Sequence, residues 1–232
     1  MEGLSTRDTI VQTAIGLFKE RGFDEVTIVD ICKKSGINKT TFYYYFNSKH
    51  ALLKDYYVMR NDIAPNVLNV LISEENPVEQ LWLMLMCSIN FVLDTGWQII
   101  KQVYILNLTK DIQSFKANQQ KIAVFTAMST VLTKAQAANM VLNRSDPKTL
   151  LVILVHMTYG ITYSWCAKEG NFDLKKANRI FFENLLDVSG EYRKEDPCQS
   201  LKLWTDLHGS GMPESVVSSI LSGSNQKVEE QP

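Results

Sequence analysis

Two short helical patterns meet at a single glycine near the N-terminus, and this spacing constrains the fold more than any other feature of the chain. Thr27 can cap a short helix whose apolar residues share one face, and Gly36 ends it. Asn38 can cap the next helix only two residues later. A tight turn of this kind is typical of a helix-turn-helix, in which two helices cross each other.

The segment before this motif predicts one further helix. Ser5 and Thr6 are candidate N-caps, and apolar residues then recur at helical spacing. Gly22 can end the helix after Arg21, which places a positive charge on the last turn. The first 45 residues therefore predict three short helices.

The third helix is rich in aromatic residues. Phe42 and Phe46 can face inward and hold it against the first two helices. The outer surface is then left to Lys39, Thr40, Thr41, Tyr43 and Tyr44. Three tyrosines cannot all point inward from one helical turn, so we expect at least one of residues 43 to 45 to be exposed.

The rest of the chain predicts an all-α fold. The whole chain has only eleven glycines and six prolines, and the Asn-Gly and Asp-Gly turns that mark β-hairpins are absent from the sequence. A long helix is predicted from Ser48 to about Leu71, with a bend at Pro65. Five more helices are predicted, over residues 78–94, 97–109, 112–142, 147–169 and 173–192.

The composition is that of a globular protein, with 45% hydrophobic and 21% charged residues. The N-terminus lacks the features of a secretory signal, so we expect a cytoplasmic protein. Residues 150–167 carry no charge, but several polar side chains interrupt them, which favours a buried helix over a membrane span. No membrane partner is expected.

Positive charge is concentrated in the predicted helix-turn-helix. Residues 33–54 contain five lysines and no acidic residue, although the whole chain has a net charge of −1. A solvated helix face would explain such a run on its own. Together with the helix-turn-helix spacing, the run favours DNA as the partner.

The stretch TIVDICKKSGINKTTFYYYFNSKHALL closely resembles the DNA-binding signature of the TetR family of bacterial transcription regulators. The resemblance covers about residues 5–57, and its most specific parts are 36–37, 41–43, 46, 48–49 and 52–53. It implies an all-helical, cytoplasmic homodimer that binds double-stranded operator DNA. It also implies a variable C-terminal domain that binds a small molecule.

The resemblance assigns roles to individual residues. Lys39 and Thr40 look like contacts to base edges, and Tyr44 like a contact in the groove. Thr41 and Tyr43 look like contacts to the DNA backbone. Two more residues are expected at phosphates, where a helix N-terminus and an ammonium group are both suitable: Thr27 and Lys49.

We therefore predict three parts: a DNA-binding domain over residues 1–60, a helical effector-binding and dimerisation domain over 61–194, and a polar, partly disordered tail over 195–232. Aromatic and methionine side chains recur in the second part, where most of them belong to the core. Some can surround a small apolar effector between the helices. The candidate effector contacts are Trp82, Met86, Trp97, Tyr104, Phe125, His156, Tyr159 and Tyr163.

The sequence offers no sign of an enzyme. No nucleophile lies beside a base in a known motif, and the three histidines and four cysteines lack ligand spacing, so we expect no catalytic residue, metal or cofactor. The chain is predicted to be a repressor that binds an inverted-repeat operator as a homodimer and is released by the effector. Dimerisation is predicted through the helices of residues 147–169 and 173–192. The alternative is an adaptor of the same fold that binds DNA or protein without an effector.

Overall fold

The computed structural model describes residues 5–60, 64–110 and 119–195, and these residues form ten α-helices. The prediction of an all-α fold is confirmed. The helices are α1 (Thr6–Arg21), α2 (Ile28–Ser35), α3 (Lys39–Tyr45), α4 (Lys49–Arg60), α5 (Ala64–Ser73), α6 (Pro77–Thr95), α7 (Trp97–Lys110), α8 (Gln119–Ala137), α9 (Pro147–Ala167) and α10 (Leu174–Leu186).

Local chemistry sets the ends of α1, α2 and α3. Ser5, Thr27 and Asn38 each accept a backbone N–H at the start of one helix, as the sequence predicts. Gly36 ends α2 with φ +68°, a left-handed conformation that favours glycine. The following residue, Ile37, donates its backbone N–H to the carbonyl of Cys32, 3.0 Å away.

Packed aromatic and aliphatic side chains hold these three helices against α4. Phe18 and Phe42 are completely buried, as are Leu52 and Leu53 on α4. The Phe18 ring lies 4.8 Å from that of Phe23, centroid to centroid. Because burying one large apolar side chain contributes about 1.5–3 kcal/mol, this small core can fix the orientation of α3.

The structure describes two helices within the predicted long helix from Ser48 to Leu71, and residues 61–63 between them lie outside the described residues, so a single continuous helix stays a prediction. The first, α4, ends at Arg60, and the second, α5, begins at Ala64. Pro65 is the second residue of α5. A proline is well accommodated there because its missing N–H has no partner within the helix.

Helices α6, α7 and α9 build the interior of the remaining part. Asn76 caps α6, and Gly96 ends it with φ +90°. The axes of α6 and α7 differ in direction by 105° across this glycine. Helix α9 packs against α7, α8 and α10, while α1 and α4 both contact α7. The predicted domain boundary at residue 60 stays a prediction, since these contacts cross it.

Two predicted helices end earlier than expected. Helix α8 ends at Ala137, where Asn139 has a positive φ, rather than near residue 142. Helix α10 ends at Leu186, because Asp187 is left-handed and its N–H returns to the carbonyls of Asn184 and Glu183. The chain then pairs Val188 with Val141 in an antiparallel bridge. The predicted start of α8 at residue 112 and the predicted tail after residue 195 lie outside the described residues.

A buried ion-pair network ties α6 to α10. Arg179 is almost fully buried and donates to Glu79 at 2.7 Å and to Glu183 at 2.5 Å. Lys194 donates to the second oxygen of Glu79 at 2.8 Å. Glu183 also accepts the backbone N–H groups of Lys194 and Glu195 at 2.9 Å. Among the described residues, the two buried charged side chains, Arg179 and Glu183, thus pair with each other, as burial requires.

Candidate DNA-binding surface and effector cavity

One face of α3 presents the residues that the sequence assigned to DNA. Lys39 and Thr40 are exposed in its first turn. Tyr43 is 52% exposed and Tyr44 is 81% exposed. The opposite face carries the fully buried Phe42. The exposed face of the helix therefore carries an ammonium group, a hydroxyl and two phenol groups. The major groove of DNA is wide enough to admit a helix with such side chains.

Thr41 has a different environment from its neighbours. Its side chain is half-buried, and both its backbone N–H and its hydroxyl donate to Oδ1 of Asn38, at 2.8 and 3.0 Å. The hydroxyl thus supports the cap of α3. Its predicted contact with the DNA backbone remains a prediction.

Thr27 forms a capping box at the start of α2. Its hydroxyl accepts the backbone N–H of Asp30, and the Asp30 carboxylate accepts the backbone N–H of Thr27. The hydrogen bond from the Thr27 hydroxyl is the main reason why the pKa of Asp30 lies below its ordinary value. Thr27 is exposed, so a phosphate could approach the same helix end.

Lys49 reaches back over the turn between α1 and α2. Its ammonium donates to the carbonyls of Phe23 and Val26, both at 2.7 Å, and lies 4.6 Å from the centroid of the Phe23 ring. In this structure Lys49 thus links α4 to the α1–α2 turn. A contact with a phosphate, the role predicted for Lys49, needs an N–H of the ammonium group that these two carbonyls do not occupy.

The other lysines of the positive run differ in their surroundings. Lys34 pairs with Glu20 of α1, 3.1 Å away. Lys33, Lys39 and Lys54 are exposed. The run that is free of acids in sequence therefore gains one acidic neighbour in the fold, and its positive charge is smaller than the sequence indicates.

A cavity of about 60 Å3 lies between α4, α6, α7 and α9. Two of the eight predicted effector contacts, Tyr104 and Tyr159, line it. The Tyr104 hydroxyl donates to the backbone carbonyl of Tyr159 at 2.9 Å. The other lining residues are Tyr57, Ser88, Ile89, Phe91, Val92, Ile100, Val103, Thr158 and Thr162.

The other six predicted contacts do not line this cavity. Trp82 packs against Phe182 and Arg179, while Trp97 packs against Gly170, where an added Cβ would lie only 2.9 Å from the indole. Met86 belongs to the buried core, and Phe125 is partly buried and packs against it. His156 and Tyr163 are exposed on α9. Aromatic periodicity could not separate these environments, because each depends on which helix packs opposite.

Tyr57 lines the cavity but is not among the effector contacts that the sequence predicts. It belongs to α4, which the sequence predicts only as a link between the two parts of the chain. Its position one turn after Leu53 indicates a buried side chain, and the structure buries it. Only the packing of α4 against α7 brings its ring to the cavity.

Helix α9 presents an uncharged strip on its outer side. Val152, Ile153 and Tyr163 are all more than 40% exposed, and His156 lies between them. By length and composition α9 could cross a membrane, a test that core helices of soluble proteins also pass; 39% of its most apolar stretch is buried. Exposed apolar strips of this kind typically mark an interface.

Several known regulators are similar to this chain. Residues 10–56 match the family model of bacterial regulatory proteins of the tetR family. The chain is 22% identical over 195 residues to an Escherichia coli (strain K12) protein known as the probable acrEF/envCD operon repressor, covering 80% of this chain and 87% of that protein. It is 44% identical over 46 residues to IcaR of Staphylococcus aureus (strain Newman), a negative transcriptional regulator of the icaADBC biofilm operon. That match covers 20% of this chain and 25% of IcaR.

The fold is shared with solved regulators. FadR of Thermus thermophilus, a TetR-family transcriptional repressor solved with lauroyl-CoA, matches with a TM-score of 0.57 and 21% identity. The match covers 82% of this chain and 97% of FadR. The family model lies on the helices that present Lys39 and Tyr44. Residues 10–56 of this chain are therefore similar to the DNA-binding part of bacterial regulatory proteins of the tetR family, and the fold of the chain is that of solved regulators.

Proposed function

We propose that this protein is a cytoplasmic, homodimeric repressor that binds an inverted-repeat operator and leaves it when a small, largely apolar effector binds. The observation that carries the proposal is the exposed face of α3. Phe42 on the opposite face of α3 is fully buried and anchors the helix, so the polar and aromatic side chains are held rigidly outward. Rigid presentation is what reading of base edges in the major groove requires.

A dimer is needed because one short helix reads too few base pairs to select a site. The uncharged strip of α9, made of Val152, Ile153, His156 and Tyr163, supports the predicted interface through α9 and α10. Pairing this strip with a second copy would bury apolar side chains that are exposed in one subunit.

The cavity supports the proposed effector by its position. It lies against α4, which also carries two links to the DNA-binding helices. Lys49 holds the α1–α2 turn, and Asp55 accepts a hydrogen bond from Arg7 of α1 at 2.5 Å. A ligand that displaced α4 would therefore move α1 and α2 with it. Coupling of about 1–3 kcal/mol would change operator affinity some 5- to 150-fold.

An adaptor without an effector is the second candidate. The size of the cavity favours it, because about 60 Å3 is well below the several hundred Å3 of ordinary ligand sites. An effector would have to widen the cavity as it enters. Lauroyl-CoA in FadR of T. thermophilus is an example of a ligand bound by this fold.

Mobility-shift titration against the DNA that flanks its own gene tests the repressor. We expect selective binding of an inverted repeat in the presence of genomic competitor DNA. Lys39→Ala should relax base preference at one position of each half-site, whereas Tyr43→Phe should weaken all sequences similarly. Unselective binding by the wild-type protein would contradict the proposal.

A further inference from the structure

The residues that line the cavity between α4, α6, α7 and α9 are all uncharged. Its eleven lining residues include no Asp, Glu, Lys, Arg or His. A charged group placed there would lose its hydration without gaining an opposite partner, which costs several kcal/mol. The part of a ligand that enters this cavity must therefore be uncharged.

Three of the hydroxyl groups on the cavity wall are already engaged. Tyr104 donates to the carbonyl of Tyr159 at 2.9 Å. Thr158 and Thr162 donate to carbonyls one turn back in α9, at 2.9 and 2.8 Å. These bonds stabilise the wall and leave these protons unavailable to a ligand.

The hydroxyl of Tyr57 is different. Its side chain is only 8% exposed and lines the cavity, yet among the described residues its hydroxyl has no hydrogen-bond partner. Burial raises the pKa of Tyr57 well above its ordinary value, and the pKa of Tyr104 is raised in the same way. Tyr57 is therefore a neutral phenol with a proton to donate. A ligand in the cavity that accepts this proton gains a hydrogen bond, whereas a hydrocarbon of the same shape does not.

We propose that the effector is an uncharged, apolar molecule with a hydrogen-bond acceptor such as a carbonyl oxygen, and that Tyr57 donates to this acceptor. The inference rests on the proposed effector role of the cavity. It makes Tyr57 the residue that separates ligands with an acceptor from hydrocarbons of the same shape. Its position on α4 places recognition on the helix that holds the α1–α2 turn through Lys49.

Three small aromatic probes of similar shape test this inference on the full-length protein. Acetophenone carries a carbonyl acceptor, α-methylstyrene replaces that oxygen with carbon, and benzoate adds a charge. Ligand-observed NMR titration at millimolar concentration gives the relative affinities. We expect acetophenone to bind about five- to tenfold more tightly than α-methylstyrene, the effect of one hydrogen bond, and benzoate to bind most weakly.

The variant Tyr57→Phe removes only the hydroxyl. We expect it to abolish the preference for acetophenone while leaving the affinity for α-methylstyrene unchanged. Tyr56→Phe is the matched control, because Tyr56 is also buried on α4 but does not line the cavity. It should keep the wild-type preference.

Four results would overturn the inference. They are equal binding of acetophenone and α-methylstyrene by the wild type, tighter binding of benzoate than of acetophenone, a preference that survives in Tyr57→Phe, and no binding of any probe. Operator binding without probe is measured on the same preparation by mobility shift. If operator binding is selective while the probe experiment fails, the effector chemistry is wrong and the DNA-binding role stands. If operator binding itself is unselective, the proposed repressor function is wrong, whatever the probes show.

Discussion

At the scale of single residues, Lys49 makes contacts that the sequence did not predict. The resemblance assigns it to a phosphate, while the structure places its ammonium on the carbonyls of Phe23 and Val26. Hydrogen bonds from a charged donor typically contribute about 1.5–3 kcal/mol. We therefore expect Lys49→Ala to lower the free energy of unfolding by about 2 kcal/mol, measured by urea denaturation.

Lys54→Ala is the control for this prediction. Lys54 lies on the same helix but is exposed. Its loss should change the free energy of unfolding by less than about 0.5 kcal/mol, as is usual for surface substitutions. Equal stability of the two variants would mean that the carbonyl contacts of Lys49 contribute nothing.

At the scale of elements, the capping box sets the start of α2. Thr27→Ala removes the hydroxyl that accepts the backbone N–H of Asp30, so we expect a loss of about 1 kcal/mol in thermal or urea unfolding. Thr27→Ser keeps the hydroxyl and should retain most of the stability. A serine variant as unstable as the alanine variant would argue against capping as the cause.

The contact between α6 and α10 should depend on pH. Burial works against the charged form of Glu79, but hydrogen bonds from Arg179 and Lys194 outweigh it and lower the pKa of Glu79 below its ordinary value of 4.5. A carboxyl group whose pKa is lower in the folded state stabilises the protein above its unfolded-state pKa. That contribution is lost as the pH falls through the folded-state pKa.

We therefore expect the free energy of unfolding to decrease as the pH falls from about 5 towards 3. In Glu79→Gln this decrease should be smaller, and stability at neutral pH should be lower. Glu75→Gln, at an exposed position, should keep the wild-type pH dependence. Denaturation curves at a series of pH values measure both. A Glu79→Gln variant with the wild-type slope would show that this carboxylate is not responsible.

At the scale of the whole molecule, the outer strip of α9 should hold two subunits together. Val152→Asp places a charge where the proposed interface excludes water, so we expect a monomer in sedimentation and a large loss of operator affinity. Ile122→Asp is the control, since Ile122 is also an exposed apolar residue but lies on α8. Dimers in both variants would place the interface elsewhere.

The sequence by itself determined the starts of the first three helices and the presentation of α3. Caps such as Thr27 and Asn38, and the turn at Gly36, act on neighbours within one helical turn, so local spacing predicts them. The inward positions of Phe42 and Phe46 follow from the helical period alone. The resemblance to the family rests on the same short stretch.

Only the tertiary structure decided which side chains share the cavity and which charges meet. Arg179 and Glu79 lie 100 positions apart in the chain, and Tyr57 reaches the cavity from a helix that sequence reasoning assigned to a link. Helical periodicity shows that a residue faces inward but not which helix lies opposite. That choice depends on how all the helices pack together at once, because close packing accepts only side chains whose shapes and polar groups fit each other.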